Sequence, residues 1–283
     1  MPNKYNQDDK KTVLDVYTCF DSIYISDIID EWKKEYNGLN IRRVSWSANI
    51  GENTSIINEQ TLINLGILIL KDFDVATVHY YQVSIPSESV LADGMEHAVA
   101  FMIDHKSKIM RYHDSHGVDM RREYKDFLTK LFPDYKITIN YSKQQADVVS
   151  KTDKNKNDNS CALLSLYNLR DMWFVQNGMP DKVCNFDSVS ARQDAWEILS
   201  DIQKKPQEQI KFSFGKSVKT KTKEKILEYE KAMAKIAEKA FKYRLNEEPN
   251  YDDLINKAVD TVRAEIKKWH NEKMIHQHTG GRV

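Results

Sequence analysis

Four kinds of side chain that together can carry out acyl transfer follow one another along this sequence. They are His97, Asp114, Gln144 or Gln145, and Cys161. A cysteine attacks as its thiolate, so at neutral pH it needs a neighbouring base or a helix N-terminus. An imidazole supplies that base, a carboxylate orients the imidazole, and an amide N–H₂ group can donate to an oxyanion. The set therefore points to nucleophilic thiol chemistry.

The segments that carry the histidine and the aspartate are predicted to form a hairpin. Three consecutive segments are typical of strands: residues 75–85, 97–104 and 108–114. The middle one is apolar on both faces, which indicates a central strand. Because its connection to the next strand is short and polar, the hairpin returns Asp114 to the end that holds His97. Two other carboxylates, Asp104 and Asp119, are expected to lie farther from that imidazole.

The candidate nucleophile is predicted to begin a buried helix. Asn159 and Ser160 are favourable N-cap residues, so Cys161 is expected in the first helical turn. Free N–H groups and the helix dipole stabilise a thiolate there. The segment 161–174 is apolar around most of its circumference, which indicates a helix inside the domain.

Gln144 and Gln145 follow a further strand predicted over residues 135–141 and precede a polar loop that leads to the cysteine. Either side-chain amide can supply the oxyanion donor, and the spacing leaves open which one does so. A surface glutamine and a structural histidine are the common alternatives for such residues taken singly. The prediction therefore depends on the whole set being brought together.

The remaining pattern divides the chain into three parts. An N-terminal variable region, 1–74, is expected to contain helices and to contribute to substrate binding. The catalytic core is expected over 75–205, and a helical C-terminal extension over 206–283. Helices are predicted over 22–36, 120–132, 191–204, 220–245 and 251–274. The last two each carry an apolar stripe, which suits a helical hairpin.

Composition narrows the classes of function. With 42 basic and 42 acidic residues the chain has no net charge, which argues against nucleic acid as an obligatory partner. Three cysteines are too few, and odd in number, for a disulfide framework, which favours a reducing compartment. No signal-like segment and no membrane span are expected, since no run of about 18 apolar residues occurs. No cofactor is expected, and the oligomeric state is left open.

Three stretches of this sequence resemble the adenain-like cysteine proteases of clan CE, which include the ubiquitin-like-protein proteases and bacterial effector relatives. The stretches read HAVAFMIDHKSKIMRYHDSHG, QQ and NSCALLSLYNL, and the resemblance covers roughly His97 to Trp173. It implies an α+β, papain-like cysteine protease fold with a central, mainly antiparallel sheet flanked by helices. It also implies a nucleophile, a general base, an orienting acid and an oxyanion donor, which are Cys161, His97, Asp114 and Gln144 or Gln145.

The sequence departs from the family at positions that the resemblance assigns to the substrate channel. Ala98 stands where an aromatic residue is common, Ser160 where aspartate is common, and Ala162 where glycine is common. Gln145 lies sixteen positions before Cys161, a wider spacing than is usual, which requires a loop insertion. These differences are similar to those of a divergent bacterial effector. Such a protein would be secreted and act in the host cytoplasm; otherwise a cytoplasmic location is expected.

The function that the resemblance implies is removal of ubiquitin or a ubiquitin-like modifier by a cysteine isopeptidase. One alternative is a YopJ-like acetyltransferase that uses the same triad and an inositol phosphate bound by the basic run Lys216, Lys219, Lys221, Lys223 and Lys225. Another is a noncatalytic binding module formed by the last two helices. A metal site at His113 and His116 has little support, because no paired cysteines or acidic helix motif accompany these histidines.

Overall fold

A computed structural model describes residues 5–46, 48–49, 55–56, 59–73, 76–86, 96–145, 158–204 and 251–279. The predicted helix over 220–245 and the lysine run over 216–225 lie outside the described residues. Their proposed roles in a helical hairpin and in binding an inositol phosphate therefore remain predictions.

The described residues contain seven helices and seven strands. The helices are α1 Gln7–Leu14, α2 Ser22–Glu35, α3 Glu59–Phe73, α4 Arg122–Leu131, α5 Cys161–Gln176, α6 Ser188–Lys204 and α7 Tyr251–Thr279. The strands are β1 Ile41–Ser45, β2 Ala48–Asn49, β3 Ser55–Ile56, β4 Val78–Pro86, β5 Glu96–Asp104, β6 Ile109–His113 and β7 Lys136–Asn140. The strands predicted within the core and the helices predicted outside 220–245 are confirmed, with bounds that differ by a few residues.

Five strands form one mixed sheet in the order β1-β4-β5-β6-β7. The central pairs β4–β5 and β5–β6 are antiparallel, while the outer pairs β1–β4 and β6–β7 are parallel. Parallel neighbours need a crossover connection, and α3 and α4 lie on the two crossovers. The predicted α+β class is confirmed. The expected mainly antiparallel sheet describes only its centre, because helical crossovers add a parallel strand at each edge.

Helices cover both faces of the sheet. Along β5, Ala100 and Met102 belong to one core cluster with α1, α2, α5 and α6, and Val99, Phe101 and Ile103 belong to the other. This alternation follows from the two-residue period of a strand and explains why β5 is apolar on both faces. The small side chain of Ala100 leaves room for α5, which packs closely on β5. The sheet is thereby enclosed, and the N-terminus of α5 is held against it.

Helix α7 packs on α3 and α4 as part of the second core cluster. Its buried residues are Ile255, Ala258, Val259 and Val262. Gly66 of α3 makes this approach possible, because a Cβ atom there would lie 2.8 Å from a methyl group of Val262. Among the described helices, none combines the length and the apolar character needed to cross a lipid bilayer.

Candidate active site

The hairpin of β5 and β6 brings His97 and Asp114 together, as predicted. The Nε2–H group of His97 donates to Oδ1 of Asp114 at 2.8 Å. The side chain of His97 is 12% exposed and that of Asp114 only 2%. Asp104 lies at the other end of β5, where its carboxylate accepts hydrogen bonds from the loop residue Ser107. Asp119 pairs with Lys125 at 3.1 Å.

The turn after β6 places the carboxylate. Continued pairing of β5 with β6 in the observed register would set His97 opposite His116. The chain instead turns after His113, where the N–H of Gly117 donates to the carbonyl of Asp114 at 2.8 Å. The N–H of His116 donates to Oδ1 of Asp114 at 2.8 Å, and the rings of His116 and His97 lie 4.9 Å apart. The turn thus holds the acid beside His97 and a second imidazole against its ring.

Cys161 is the first residue of α5 and retains partial exposure. The imidazole of His97 and the backbone N–H groups of Ala98 and Ala162 lie near enough to its sulfur to lower the pKa of the thiol. Because Asp114 occupies Nε2 of His97, Nδ1 is the ring nitrogen left for the sulfur. Carboxylate, imidazole and thiol therefore follow one another in the line Asp114–His97–Cys161.

Electrostatics in this line favour a thiolate beside an imidazolium. Burial lowers the pKa of His97, but hydrogen bonds to Asp114 and Cys161 outweigh burial and raise that pKa to about 10. Burial raises the pKa of Cys161, but the hydrogen bond and charge of His97, with the two backbone N–H groups, bring it below its ordinary value. Burial likewise opposes ionisation of Asp114, yet hydrogen bonds from His97 and His116 lower its pKa. All three shifts favour the charged forms.

The first turn of α5 is tied to the sheet by a residue of β4. Gln82 donates through Nε2 to the carbonyl of Ala162 at 2.6 Å and to Oγ of Ser165 at 2.9 Å. Gln82 is opposite Ala100 in the β4–β5 pairing and is only 4% exposed. A buried amide needs such partners, so this contact holds the helix start at a defined height on the sheet.

The two glutamines contact different parts of the α5 region. Gln145 accepts from Oγ of Ser115 at 2.8 Å, and its Nε2 donates to the carbonyl of Asp158, just before the nucleophile. Gln144 accepts from Nδ2 of Asn168 at 2.9 Å. Asn168 lies seven residues into the helix, which corresponds to about 10 Å along its axis. Gln145 is therefore held beside the helix start, and Gln144 two turns farther along.

Three residues flank His97 and Cys161: the backbone N–H groups of two of them lower the pKa of the thiol, and the third lies below the surface. Ala98 is 8% exposed and Ala162 partly exposed. Ser160 is fully buried, and its hydroxyl accepts from Nε of Arg192 at 2.8 Å. Ser160 is the N-cap residue of α5, but its side chain makes no capping hydrogen bond because Arg192 engages it.

The two histidines considered as metal ligands have other contacts. Nε2 of His113 bonds to the carbonyl of Ser142 at 3.0 Å, and His116 lies against His97. In the part of the chain that the structure describes, no group of three or more potential ligating side chains is close enough to hold a metal ion.

Sequence reasoning missed several residues that support the site. Ser115, Asp158 and Gln82 carry no motif signal by themselves. Arg192 does carry one: at helical spacing it lies on the same stripe as Ala195 and Leu199, which are buried. A charged residue on an apolar stripe indicates a buried polar network.

Comparison with known proteins gives matches among solved structures only. No family model matches the chain, and no curated protein sequence matches it. The chain is similar to the C-terminal Ulp1 protease domain in complex with Smt3, the yeast ortholog of SUMO, with 14% identity over 69% of this chain and 83% of that chain, at a TM-score of 0.40.

Two further solved structures are similar to the chain at comparable levels. ChlaDub1 from Chlamydia trachomatis has 11% identity over 71% of this chain and 97% of that chain, at a TM-score of 0.36. The Legionella pneumophila effector protein RavZ has 15% identity over 67% of this chain and 65% of that chain, also at 0.36.

Proposed function

We propose that this protein is a cysteine isopeptidase that removes ubiquitin or a ubiquitin-like modifier from other proteins. The observation that carries the proposal is the line from Asp114 through His97 to Cys161 at the N-terminus of α5. The pKa shifts of this line, lowered for Cys161 and raised for His97, favour the thiolate over the thiol. The choice of substrate follows the sequence resemblance to clan CE.

The chemistry follows from the positions of the protons. The Cys161 thiolate attacks the carbonyl carbon at the C-terminus of the modifier and forms a tetrahedral oxyanion. The His97 imidazolium then gives its proton to the leaving lysine amine, which leaves a thioester on Cys161. His97, now neutral, takes a proton from water as the water attacks the thioester. Asp114 orients the ring throughout and stabilises its charged form.

We propose Gln145 rather than Gln144 as the oxyanion donor. One N–H of its amide is engaged with the carbonyl of Asp158, and the amide has a second N–H to give. Ser115 holds the amide oxygen, so the orientation of the group is set before substrate binds. The contact of Gln144 with Asn168 sets it farther along α5.

The test is covalent capture by C-terminally electrophilic probes built on ubiquitin, SUMO and NEDD8, followed by mass spectrometry. An adduct on Cys161 is expected with one of these probes. It should be absent from Cys161→Ala and retained in the matched variant Cys184→Ala, which removes an exposed thiol. Adducts on both variants would contradict the assignment of the nucleophile.

The role of Asp114 as the orienting acid is tested by measuring kcat on a conjugate of the modifier whose probe reacts. Asp114→Asn keeps the shape but removes the charge beside His97, so kcat is expected to fall by about 100-fold or more. Asp119→Asn, in which an exposed carboxylate paired with Lys125 is changed, should keep wild-type kcat.

If no probe reacts and acetyl-CoA labels Cys161, an acetyltransferase replaces the isopeptidase. If neither reagent labels Cys161, the proposal fails and a binding role for the helical region is favoured.

A further inference from the structure

Arg192 is a buried arginine of α6 that contacts the chain immediately before the nucleophile. Its side chain has no exposure to solvent. Nε donates to the hydroxyl of Ser160 at 2.8 Å, and Nη2 reaches the carbonyl of Asn159 at 3.4 Å. A guanidinium group has five N–H donors in a fixed planar fork, so it can hold several acceptors in one relative arrangement.

The remaining donors of Arg192 bind the N-terminal segment. Nη1 donates to the carbonyl of Val13 at 2.9 Å and to that of Thr12 at 3.4 Å. Nη2 donates to the carbonyl of Thr18 at 2.6 Å. All five of these hydrogen bonds end on neutral oxygen atoms, two of them in the last turn of α1 and one in the segment that follows it. A buried charge is costly unless its donors are satisfied, so the three parts of the chain are held together by this group.

Each of the three residues before Cys161 is fixed by a separate contact. The carboxylate of Asp158 accepts from the hydroxyl of Ser188, one turn before Arg192 on α6, and from the N–H of Ser160 at 3.0 Å. Asn159 donates through its N–H to the carbonyl of Val16 at 2.8 Å and through Nδ2 to that of Tyr17 at 2.6 Å. These contacts leave the start of α5 little freedom to shift relative to His97.

We infer that Arg192 is a positioning residue that holds the first turn of α5 so that Cys161 stays within hydrogen-bond reach of His97. The stabilisation of a thiolate by an imidazolium falls steeply with distance in a site of low dielectric. A small displacement of the helix start would therefore reduce the thiolate fraction at mildly acidic pH. The inference rests on the proposed function only in taking Cys161 as the nucleophile.

Arg192→Lys keeps the charge and removes the planar fork. The matched control is Arg170→Lys, since Arg170 is also buried but contacts Trp32, Tyr167 and Asp194 instead of the residues before Cys161. The measurement is the rate of Cys161 alkylation by iodoacetamide at pH 5.5 and at pH 9, followed by peptide mass spectrometry. The readout is the ratio of the two rates, because a change in accessibility alone would alter both rates alike.

In Arg192→Lys the ratio is expected to fall by up to about 10-fold, since that is the largest change in the thiolate fraction at pH 5.5 that a rise of one unit in the pKa of Cys161 can cause. Arg170→Lys is expected to lower Tm while it keeps the wild-type ratio. An unchanged ratio in folded Arg192→Lys would overturn the inference. If that variant does not fold, Ser160→Ala decides, because it removes one acceptor of the fork; a wild-type ratio there overturns the inference too.

The pH profile of Cys161 alkylation in the wild-type protein distinguishes a failure of this inference from a failure of the proposed function. A wild-type Cys161 with the pH profile of an ordinary thiol would contradict the isopeptidase proposal and with it the role of Arg192. A wild-type thiol that reacts at pH 5.5, together with an Arg192→Lys variant that reacts equally well, would contradict the role of Arg192 alone.

Discussion

The reactivity of Cys161 depends on where two protons reside. Nε2 of His97 is engaged by Asp114, and hydrogen bonds to Asp114 and Cys161 raise the pKa of the imidazole to about 10 against the effect of burial. The interaction with His97 in turn lowers the pKa of the Cys161 thiol. Between these two values the site holds a thiolate and an imidazolium together. In the proposed reaction the thiolate attacks and the imidazolium protonates the leaving amine, so this form would be the reactive one.

We predict different pH dependences for alkylation and for hydrolysis. Alkylation of Cys161 should be lost only as pH falls through its lowered pKa, and it should persist at high pH because the thiolate remains. Hydrolysis should in addition decline as pH approaches about 10, where His97 loses the proton that the leaving amine needs. Rates of both reactions measured across pH test this difference.

The control is His97→Ala, in which the pKa of Cys161 should rise toward the ordinary thiol value of about 8.5. Alkylation at pH 6 should then be slower than in the wild type, by at most about 300-fold, the factor that separates a fully ionised thiol from one with a pKa of about 8.5. Equal alkylation profiles in the two proteins would contradict the ion pair.

At the scale of elements, the site is built by one hairpin, one turn and one helix start. The register of β5 and β6 brings the chain back to His97, but the turn at 114–117 decides which side chain meets the imidazole. Gly117 has a φ of 71°, and a Cβ atom there would lie 2.7 Å from the carbonyl oxygen of Tyr141. The turn can therefore pack against the chain after β7 only with glycine at this position.

Gly117→Ala is predicted to destabilise the fold by about 1–3 kcal/mol, because both its φ and the contact with Tyr141 become unfavourable. It should also lower kcat, since relief of the clash moves Asp114 relative to His97. The comparison is Gly38→Ala, where φ is 86° but nothing lies within 4 Å of the added atom. That variant should lose about 1 kcal/mol and keep its kcat. Denaturant unfolding and turnover measure both effects, and equal losses of kcat would contradict the argument.

At the scale of the whole molecule, α7 is joined to the rest of the fold through α3 and α4. Val262 of α7 is fully buried, and its methyl groups would lie 2.8 Å and 3.0 Å from a Cβ atom on Gly66. Phe127 of α4 would lie 3.0 Å from the same atom. The three helices therefore pack at a separation that the missing side chain of Gly66 sets, and a larger residue there forces a rearrangement.

We predict that Gly66→Ala and Val262→Ala each lower the free energy of unfolding by about 1–3 kcal/mol, the first by overpacking and the second by leaving a cavity. The double variant should lose less than the sum, because the shorter side chain at 262 makes room for the new methyl group. Urea unfolding of the four proteins measures the coupling. Gly66→Ala combined with Val189→Ala, at a residue that is 65% exposed, should be additive. Additive losses for Gly66→Ala and Val262→Ala would contradict the packing of α7 on α3.

Much of the fold could be predicted from the local pattern of apolar and polar residues. The apolar residues on both faces of β5 and the nearly all-apolar circumference of α5 identified the central strand and the buried helix, because burial on all sides leaves no polar face. The parallel edge strand β1 was not predicted. Pairing of β1 with β4 depends on the crossover through α3, and a contact of that range leaves no periodic signal in either segment.

By itself the sequence determined the residue types for thiol chemistry, the helix that Cys161 begins and the hairpin that returns Asp114 to His97, since these depend on spacing along a single element or between neighbours. Only the tertiary structure decided that Gln145 is held beside the start of α5 and that Arg192 forms hydrogen bonds with the residues before it. Those contacts join residues from separate elements, and side chains find such partners only after the sheet and helices have packed.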